Sequence, residues 1–98
     1  MSEPTPINNT DQKRYQITVG DHLALLEYMP AGGGNLVFTH TEVPEELEGQ
    51  GIGSRLVRFA LDDAQARNIK IIPMCPFVAG YIKRHPEYRS LVYGYKPQ

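Results

Sequence analysis

Tryptophan is absent and cysteine occurs once, at Cys75. A single thiol excludes an intrachain disulfide, and with only three histidines in the chain a metal site is not expected. No apolar run approaches the ~20 residues that a membrane-spanning helix requires. The first twelve residues, Met1 to Gln12, hold polar and proline residues rather than an apolar stretch, so no secretory signal is expected and the cytoplasm is the expected compartment. No charge of one sign dominates: 10 Lys and Arg against 11 Asp and Glu leave a net charge of −1. That removes the strongly basic surface by which nucleic-acid binders hold phosphate. Neither nucleic acid nor membrane is therefore an expected partner. The 98 residues, 41% hydrophobic and 21% charged, suit one small globular domain with a thin two-layer core.

The near-neutral total hides an asymmetry. Residues 1–50 carry Lys13 and Arg14 against eight acids, a balance of −6, whereas residues 51–98 carry eight bases against Asp62, Asp63 and Glu87, a balance of +5. A compact polyanion such as a nucleotide cofactor fits the second half, as does a merely dipolar surface. Along the chain, Pro4, Pro6 and Asn8-Asn9 predict a flexible N-terminal tail over 1–12. The domain is expected over 13–95. Tyr15, Ile17 and Val19 alternate with polar residues, Gly20-Asp21 offers a turn, and 22–29 form a mostly apolar run: a β-hairpin. After the break at residues 30–35, the stretch 36–42 is β-branched and aromatic enough for a third strand, giving an antiparallel meander. Alternation places Phe38 and His40 on one face and Val37, Thr39 and Thr41 on the other.

From Ile52 the period becomes helical. Ile52, Leu56, Val57, Ala60, Leu61 and Ala64 share a face, with Asn68 as a left-handed stop. Ile69 to Met74 then reads as a buried strand parallel to 36–42, so that strand, helix and strand form a right-handed βαβ unit. Pro76 opens a second helix that Pro86 ends near His85. Residues 87–98 read as a last short strand or an extended tail. The predicted fold class is mixed α/β.

The most informative stretch is Glu48-Gly49-Gln50-Gly51-Ile52-Gly53-Ser54 at the entry of the first helix. Its glycines permit positive φ and leave N–H groups bare at the positive end of a helix dipole, as a pyrophosphate cradle requires; a flexible helix entry would use the same residues. A dinucleotide fingerprint needs a sixth-position glycine directly after a strand and an acid ending the next strand; here Ser54 holds the sixth place and the next strand ends in Met74-Cys75. A Walker loop is excluded by the lack of Gly-Lys-Ser/Thr. The pattern Arg/Gln-x-x-Gly-x-Gly/Ala does fit, with Gly51 and Gly53 as its glycines and Glu48 where Arg or Gln is usual. On these residues, and on the run Cys75-Pro76-Phe77-Val78 continued by Tyr81-Ile82 and His85-Pro86-Glu87-Tyr88, the chain resembles the short members of the GNAT superfamily of acyl-CoA-dependent N-acetyltransferases. The resemblance spans about Tyr15 to Val92.

That resemblance implies a GNAT-like fold in which strands 36–42 and 69–74 splay at their carboxyl ends and admit pantetheine. It implies acetyl-CoA as co-substrate, no metal, and an amine acceptor, either a protein amine or a small molecule. An acyl-CoA-sensing module without turnover and an RNA- or partner-binding βαβ domain are the rival readings. Cofactor contacts are expected from Thr41, Glu42 and Val43 at the strand end, from Gly49, Gln50, Gly51, Ile52, Gly53 and Ser54 in the loop, and from Arg55, Lys83 and Arg84 on the helices. Three side chains are catalytic candidates. Cys75, at the start of a helix, suits an acetyl carrier, a proton donor to the leaving sulfur or a small apolar filler. His40 suits a general base or a hydrogen-bonded structural histidine. Tyr81 matches a thiolate-protonating tyrosine or packs with Phe77. Glu42, Glu45, Glu46 and Glu48 crowd one loop, as a solvated surface or as a lure for a cationic amine. No room exists between Val19 and Leu36 for the extra helices that enclose the acceptor in longer members, so an open acceptor face and a monomer or weak homodimer are expected.

Overall fold

The computed structural model describes residues 4–96. Five strands form one mixed sheet: β1 (Ile7–Asn9), β2 (Arg14–Val19), β3 (His22–Pro30), β4 (Leu36–Glu42) and β5 (Ile71–Pro73), in that spatial order. The first four pair antiparallel, and β5 runs parallel to β4. Helix α1 (Ile52–Ala66) is the crossover between β4 and β5, and α2 (Pro76–Arg84) follows β5. The mixed α/β class and the antiparallel meander followed by a βαβ unit are thus as the sequence predicts. No described helix is long and apolar enough to cross a membrane.

Both helices lie on the same face of the sheet, α1 over β2 and β3, and α2 against β4 and β5. The layer between them is the core. Tyr15, Ile17, Ala24, Leu26 and Phe38 from the sheet meet Leu56, Val57, Ala60, Leu61 and Val78 from the helices, all fully or almost fully buried. Burying the larger aliphatic and Phe side chains among these contributes roughly 1.5–3 kcal/mol each. Tyr15 also carries a polar anchor at the margin of the layer. Its hydroxyl donates to Asp63 (2.7 Å) and accepts from Arg67 (3.1 Å), while Arg67 pairs with Asp63 at 2.9 Å. One phenol therefore ties β2 to the last turns of α1, and burial together with the Asp63 carboxylate pushes it far above the ordinary tyrosine range.

Among the described residues, the opposite face carries no helix. Met29 is 51% exposed there and Glu27 is open to solvent; of the side chains that alternation directs to this face, Leu25 alone is buried.

Four expectations need correction. The tail predicted to fray is paired over Ile7–Asn9; Met1 to Glu3 lie outside the described residues. Its poor local propensity is overridden by partners from elsewhere: Tyr28 donates to Asn8 (2.6 Å), Asn9 donates to Gln16 (3.1 Å), and Arg55 reaches the Pro4 carbonyl (2.6 Å). The last parallel strand is shorter than predicted, because Asn68 (φ 58) ends α1 as expected but the N–H of Ile69 still bonds back to Ala64. The C-terminal stretch is a 3-10 turn over Pro86–Leu91 with a single parallel bridge from Val92 to Ile71, not a strand; residues 97–98 lie outside the described residues.

The fourth correction concerns β4. Tyr28 pairs with Phe38 and Glu27 with His40, so Thr39 is an extra residue without a partner on β3, a β-bulge. Alternation restarts beyond it. Phe38 faces the core, whereas His40, opposite the outward-facing Glu27, faces the open side, and Thr41, opposite Leu26, faces the helices. His40 and Phe38 do not share a face.

Replacing Tyr15 by Phe should lower stability by about 2 kcal/mol in urea unfolding, with the m-value unchanged, because a hydrogen bond to a charged group is lost. Tyr88 provides a pH signature. Burial and its bond to Asp62 (2.7 Å) push its phenol up from 10.0 to about 12. A raised folded pKa favours the protonated native state, so this stabilisation is complete below pH 10 and lost as pH rises through about 12. Tyr88→Phe should flatten that part of the alkaline stability curve.

Candidate functional site

Helix α1 begins without a side-chain cap: Gly51, at φ 73, is its N-cap residue, and the first intrahelical bond runs from the Arg55 N–H to the Gly51 carbonyl. The N–H groups of Ile52, Gly53 and Ser54 therefore lack an i−4 partner within the helix. Gly49, at φ 81, is left-handed as well, and no atom lies within 4 Å of where a Cβ on Gly49 or Gly51 would stand. Side chains are thus kept away from the helix mouth, and the dipole points at open space. Gly53 has a different reason. A Cβ there would meet the Phe77 ring at 2.8 Å and Val43 at 3.3 Å, so this glycine lets α2 and the end of β4 close on the start of α1.

Beside this mouth the parallel strands separate. Pairing of β4 with β5 covers only Leu36–Phe38 against Ile71–Pro73, with a last bond from the Cys75 N–H to the Phe38 carbonyl (3.0 Å). From the Thr39 bulge onward β4 has no β5 partner. The separation and the helix mouth open into a single cleft of about 570 Å³, within the usual range for small-molecule sites. Thr41, Glu42 and Val43 line it from β4, Gly49, Gly51, Ile52, Gly53 and Ser54 from the loop and α1, and Phe77 from α2. Leu47 and Glu48 complete the wall.

Eight of the twelve residues expected to touch a cofactor therefore share this cleft. The other four are directed elsewhere. Gln50 donates to the Glu46 carbonyl (3.2 Å), Arg55 to that of Pro4, and Lys83 and Arg84 lie exposed in the last turn of α2. Phe77, Leu47 and Glu48 were not among the expected contacts. The adjacency of Phe77 to Cys75-Pro76 was the available signal for the first; an isolated loop leucine gave none for the second.

Cys75 ends the β5 segment and precedes α2, 4% exposed, with its sulfur 3.2 Å from the Thr41 hydroxyl. Burial alone would raise this thiol. The Thr41 hydroxyl and the backbone N–H groups of Val78, Phe77 and Thr41 outweigh it and hold the thiol below its ordinary value, although no well-formed cap bond closes α2. His40 stands on the other face of the sheet, exposed, with Glu27 across from it. Tyr81 is 5% exposed on α2 and stacks on His85 (centroids 4.2 Å apart) near Tyr88, outside the cleft wall. The three catalytic candidates thus do not converge: Cys75 lies behind Thr41 of the cleft wall, His40 faces the open side of the sheet, and Tyr81 belongs to the packing of α2. No group of three or more His, Cys, Asp or Glu among the described residues is arranged to hold a metal.

A glycine-entered crossover helix behind a bulged, unzipped parallel strand pair defines the class of acyl-CoA N-acyltransferase folds. Residues 14–91 match the family model described as GCN5-related N-acetyl-transferase, and the chain belongs to that family. Among its relatives, Protein NATD1 of Gallus gallus is 36% identical over 80 residues, 78% of this chain and 73% of that protein. The Homo sapiens NATD1 is 35% identical over the same length, covering 71% of it. The solution structure of a GCN5-like protein from Staphylococcus aureus superposes with a TM-score of 0.74 at 26% identity, covering 98% of this chain and 94% of that one.

Two substitutions test the geometry. Gly53→Ala should cost roughly 1–3 kcal/mol by forcing the Phe77 ring away, and adding Phe77→Ala should recover part of that loss in thermal or urea unfolding. Thr41→Val removes the hydroxyl from the Cys75 sulfur and should move the pH midpoint of thiolate formation upward, read from thiolate absorbance.

Proposed function

We propose that the chain is an acetyl-CoA-dependent N-acetyltransferase acting on an amine. The observation that carries this reading is the shared cleft: uncapped N–H groups at a helix mouth open directly into the gap between two unzipped parallel strands. The first suits a diphosphate and the second an extended thiol arm that pairs with a free strand edge. Residues present fit the coenzyme on the molecule's own terms, because left-handed Gly49 and Gly51 leave the space above the mouth unfilled. When bound, the coenzyme supplies an acyl thioester; the residues hold it, shield it and move protons around it.

Gly51–Ser54 would take the diphosphate through backbone N–H groups, which makes Glu48 in place of Arg or Gln tolerable, since no side-chain contact is needed. Thr41–Val43 and Phe77 would line the arm. The helix layer closes one side of the gap, so the acceptor arrives from the open face, where His40 is positioned as general base. His40 takes one proton from the acceptor ammonium and passes it to solvent, the freed amine attacks the thioester carbonyl carbon and forms the C–N bond, its nitrogen gives a second proton to solvent through His40, and the C–S bond breaks. Cys75, held below its ordinary pKa, donates a proton to the departing sulfur and is reprotonated from solvent, leaving one net proton in water. Cys75, whose sulfur is 3.2 Å from the cleft residue Thr41, takes the acid role that the resemblance gave to Tyr81, whose ring packs on His85 and Tyr88.

Calorimetry with CoA tests the donor half: saturable binding is expected, and Gly51→Val should weaken it about tenfold, since a side chain in the left-handed region costs roughly 1–2 kcal/mol. For the chemistry, His40→Ala and Cys75→Ala are assayed separately against a panel of amines. His40→Ala should lower kcat by roughly 100-fold or more. Binding without turnover by the unmodified protein would instead identify an acyl-CoA sensor. With isotopically labelled acetyl-CoA, an unlabelled Cys75 and labelled amines are expected; label on Cys75 would replace direct attack by a two-step route.

A further inference from the structure

A second hollow, of about 250 Å³, lies outside the cleft on the solvent side of α1. Arg55, Arg58, Phe59 and Asp62 line it from one face of the helix, and Pro6 lines it from the N-terminal segment. That segment is fastened in place by side chains from three other elements. Arg55 donates to the Pro4 carbonyl (2.6 Å), Tyr28 to Asn8 (2.6 Å), and Asn9 is bonded to Gln16 (3.1 Å). A stretch of weak local propensity is thus held as a wall.

The hollow offers apolar walls and a positive charge. Pro6 and half-buried Phe59 supply the first, and the Phe59 ring is fixed edge-on to Tyr15 with centroids 6.0 Å apart. Of the five N–H donors a guanidinium carries, Arg55 directs one to Pro4, and among the described residues no carboxylate lies within ion-pair distance of it. Arg58 meets Asp62 only at 3.9 Å with 71% of its side chain exposed, a pair worth little in water. The Asp62 carboxylate already accepts from the Tyr88 hydroxyl (2.7 Å). Two cations therefore outweigh one carboxylate. Ser54, which ends the cleft wall on α1, is next in sequence to Arg55 and one turn before Arg58, about 6 Å along the axis. At its size the hollow falls below the usual range for an independent small-molecule site, as suits a subsite beside a larger cleft.

We infer that this hollow takes the nucleotide end of the coenzyme, with Pro6 and Phe59 against the adenine ring and Arg55 and Arg58 on the ribose 3′-phosphate, so that the N-terminal segment is part of the donor site. The inference rests on the donor reading above and names the residues that tell CoA from its 3′-dephospho form. A diphosphate on the N–H groups of Ile52–Ser54 leaves its nucleotide side free to run along the first turns of α1. Planar guanidinium forks suit a phosphomonoester, and an aromatic face suits a purine.

The test is calorimetry on the full chain with CoA and with 3′-dephospho-CoA. CoA should bind about tenfold or more tightly, and salt should narrow the gap. Arg58→Gln should weaken CoA about tenfold and leave 3′-dephospho-CoA nearly unchanged, with the thermal midpoint of unfolding unmoved because only an exposed pair is lost. Hydrogen exchange reads the wall itself: at equal saturation, the amides of Ile7–Asn9 should exchange more slowly with CoA than with 3′-dephospho-CoA. Absence of CoA binding to the unmodified protein would overturn the donor reading and this inference together. With CoA bound, equal affinity for the two forms, equal weakening of both by Arg58→Gln, or exchange over Ile7–Asn9 that ignores the 3′-phosphate would each overturn the inference alone.

Discussion

One extra residue in β4 organises the site. Before Thr39 the strand is an ordinary inner member of the sheet, hydrogen-bonded on both sides; after it, the strand has lost its parallel neighbour and its side chains have exchanged faces. The same insertion therefore opens the gap, turns Thr41 toward Cys75 and presents His40 to solvent. A bulge-free strand of this composition would bury His40 against the helices and carry the ladder to β5 further along. The cost is a few forfeited ladder bonds along the side of the cleft.

Around that insertion the glycines divide the labour. Gly49 and Gly51 supply a backbone conformation and an absence of side chains above the helix mouth. Gly53 supplies space underneath, where Phe77 approaches. A sequence motif of three alternating glycines thus joins two unrelated features, an open helix mouth and interhelical packing. Phe77 links them physically, since its ring rests on the start of α1 and also forms part of the cleft wall.

Much of this architecture was legible in the residues. The helical period of Ile52 through Ala64, the alternation of Tyr15, Ile17 and Val19, and the stop at Asn68 are strong local signals, and the structure follows them. The loop was recognisable because glycine spacing reports backbone geometry directly. What escaped depended on distant partners. The pairing of Ile7–Asn9 relies on Gln16 and Tyr28, and no local pattern marks Thr39 as the extra residue, because a bulge is a property of two strands' relative register. The orientation of His40 followed from that register and so was read wrongly, and the long basic side chains Arg55, Lys83 and Arg84 were placed by charge alone, which does not say where a flexible stem will turn.

The two borders of the sheet have a bearing on life in a crowded solution. β1 offers only three residues of free backbone, and the outer rim of β5 is guarded by Val92 and by the Tyr93 N–H bonded to Ile71 at 2.9 Å. An unguarded rim is a template on which other chains can polymerise. A protein that keeps one sheet face open thus blunts both of its margins against fibre-forming stacking.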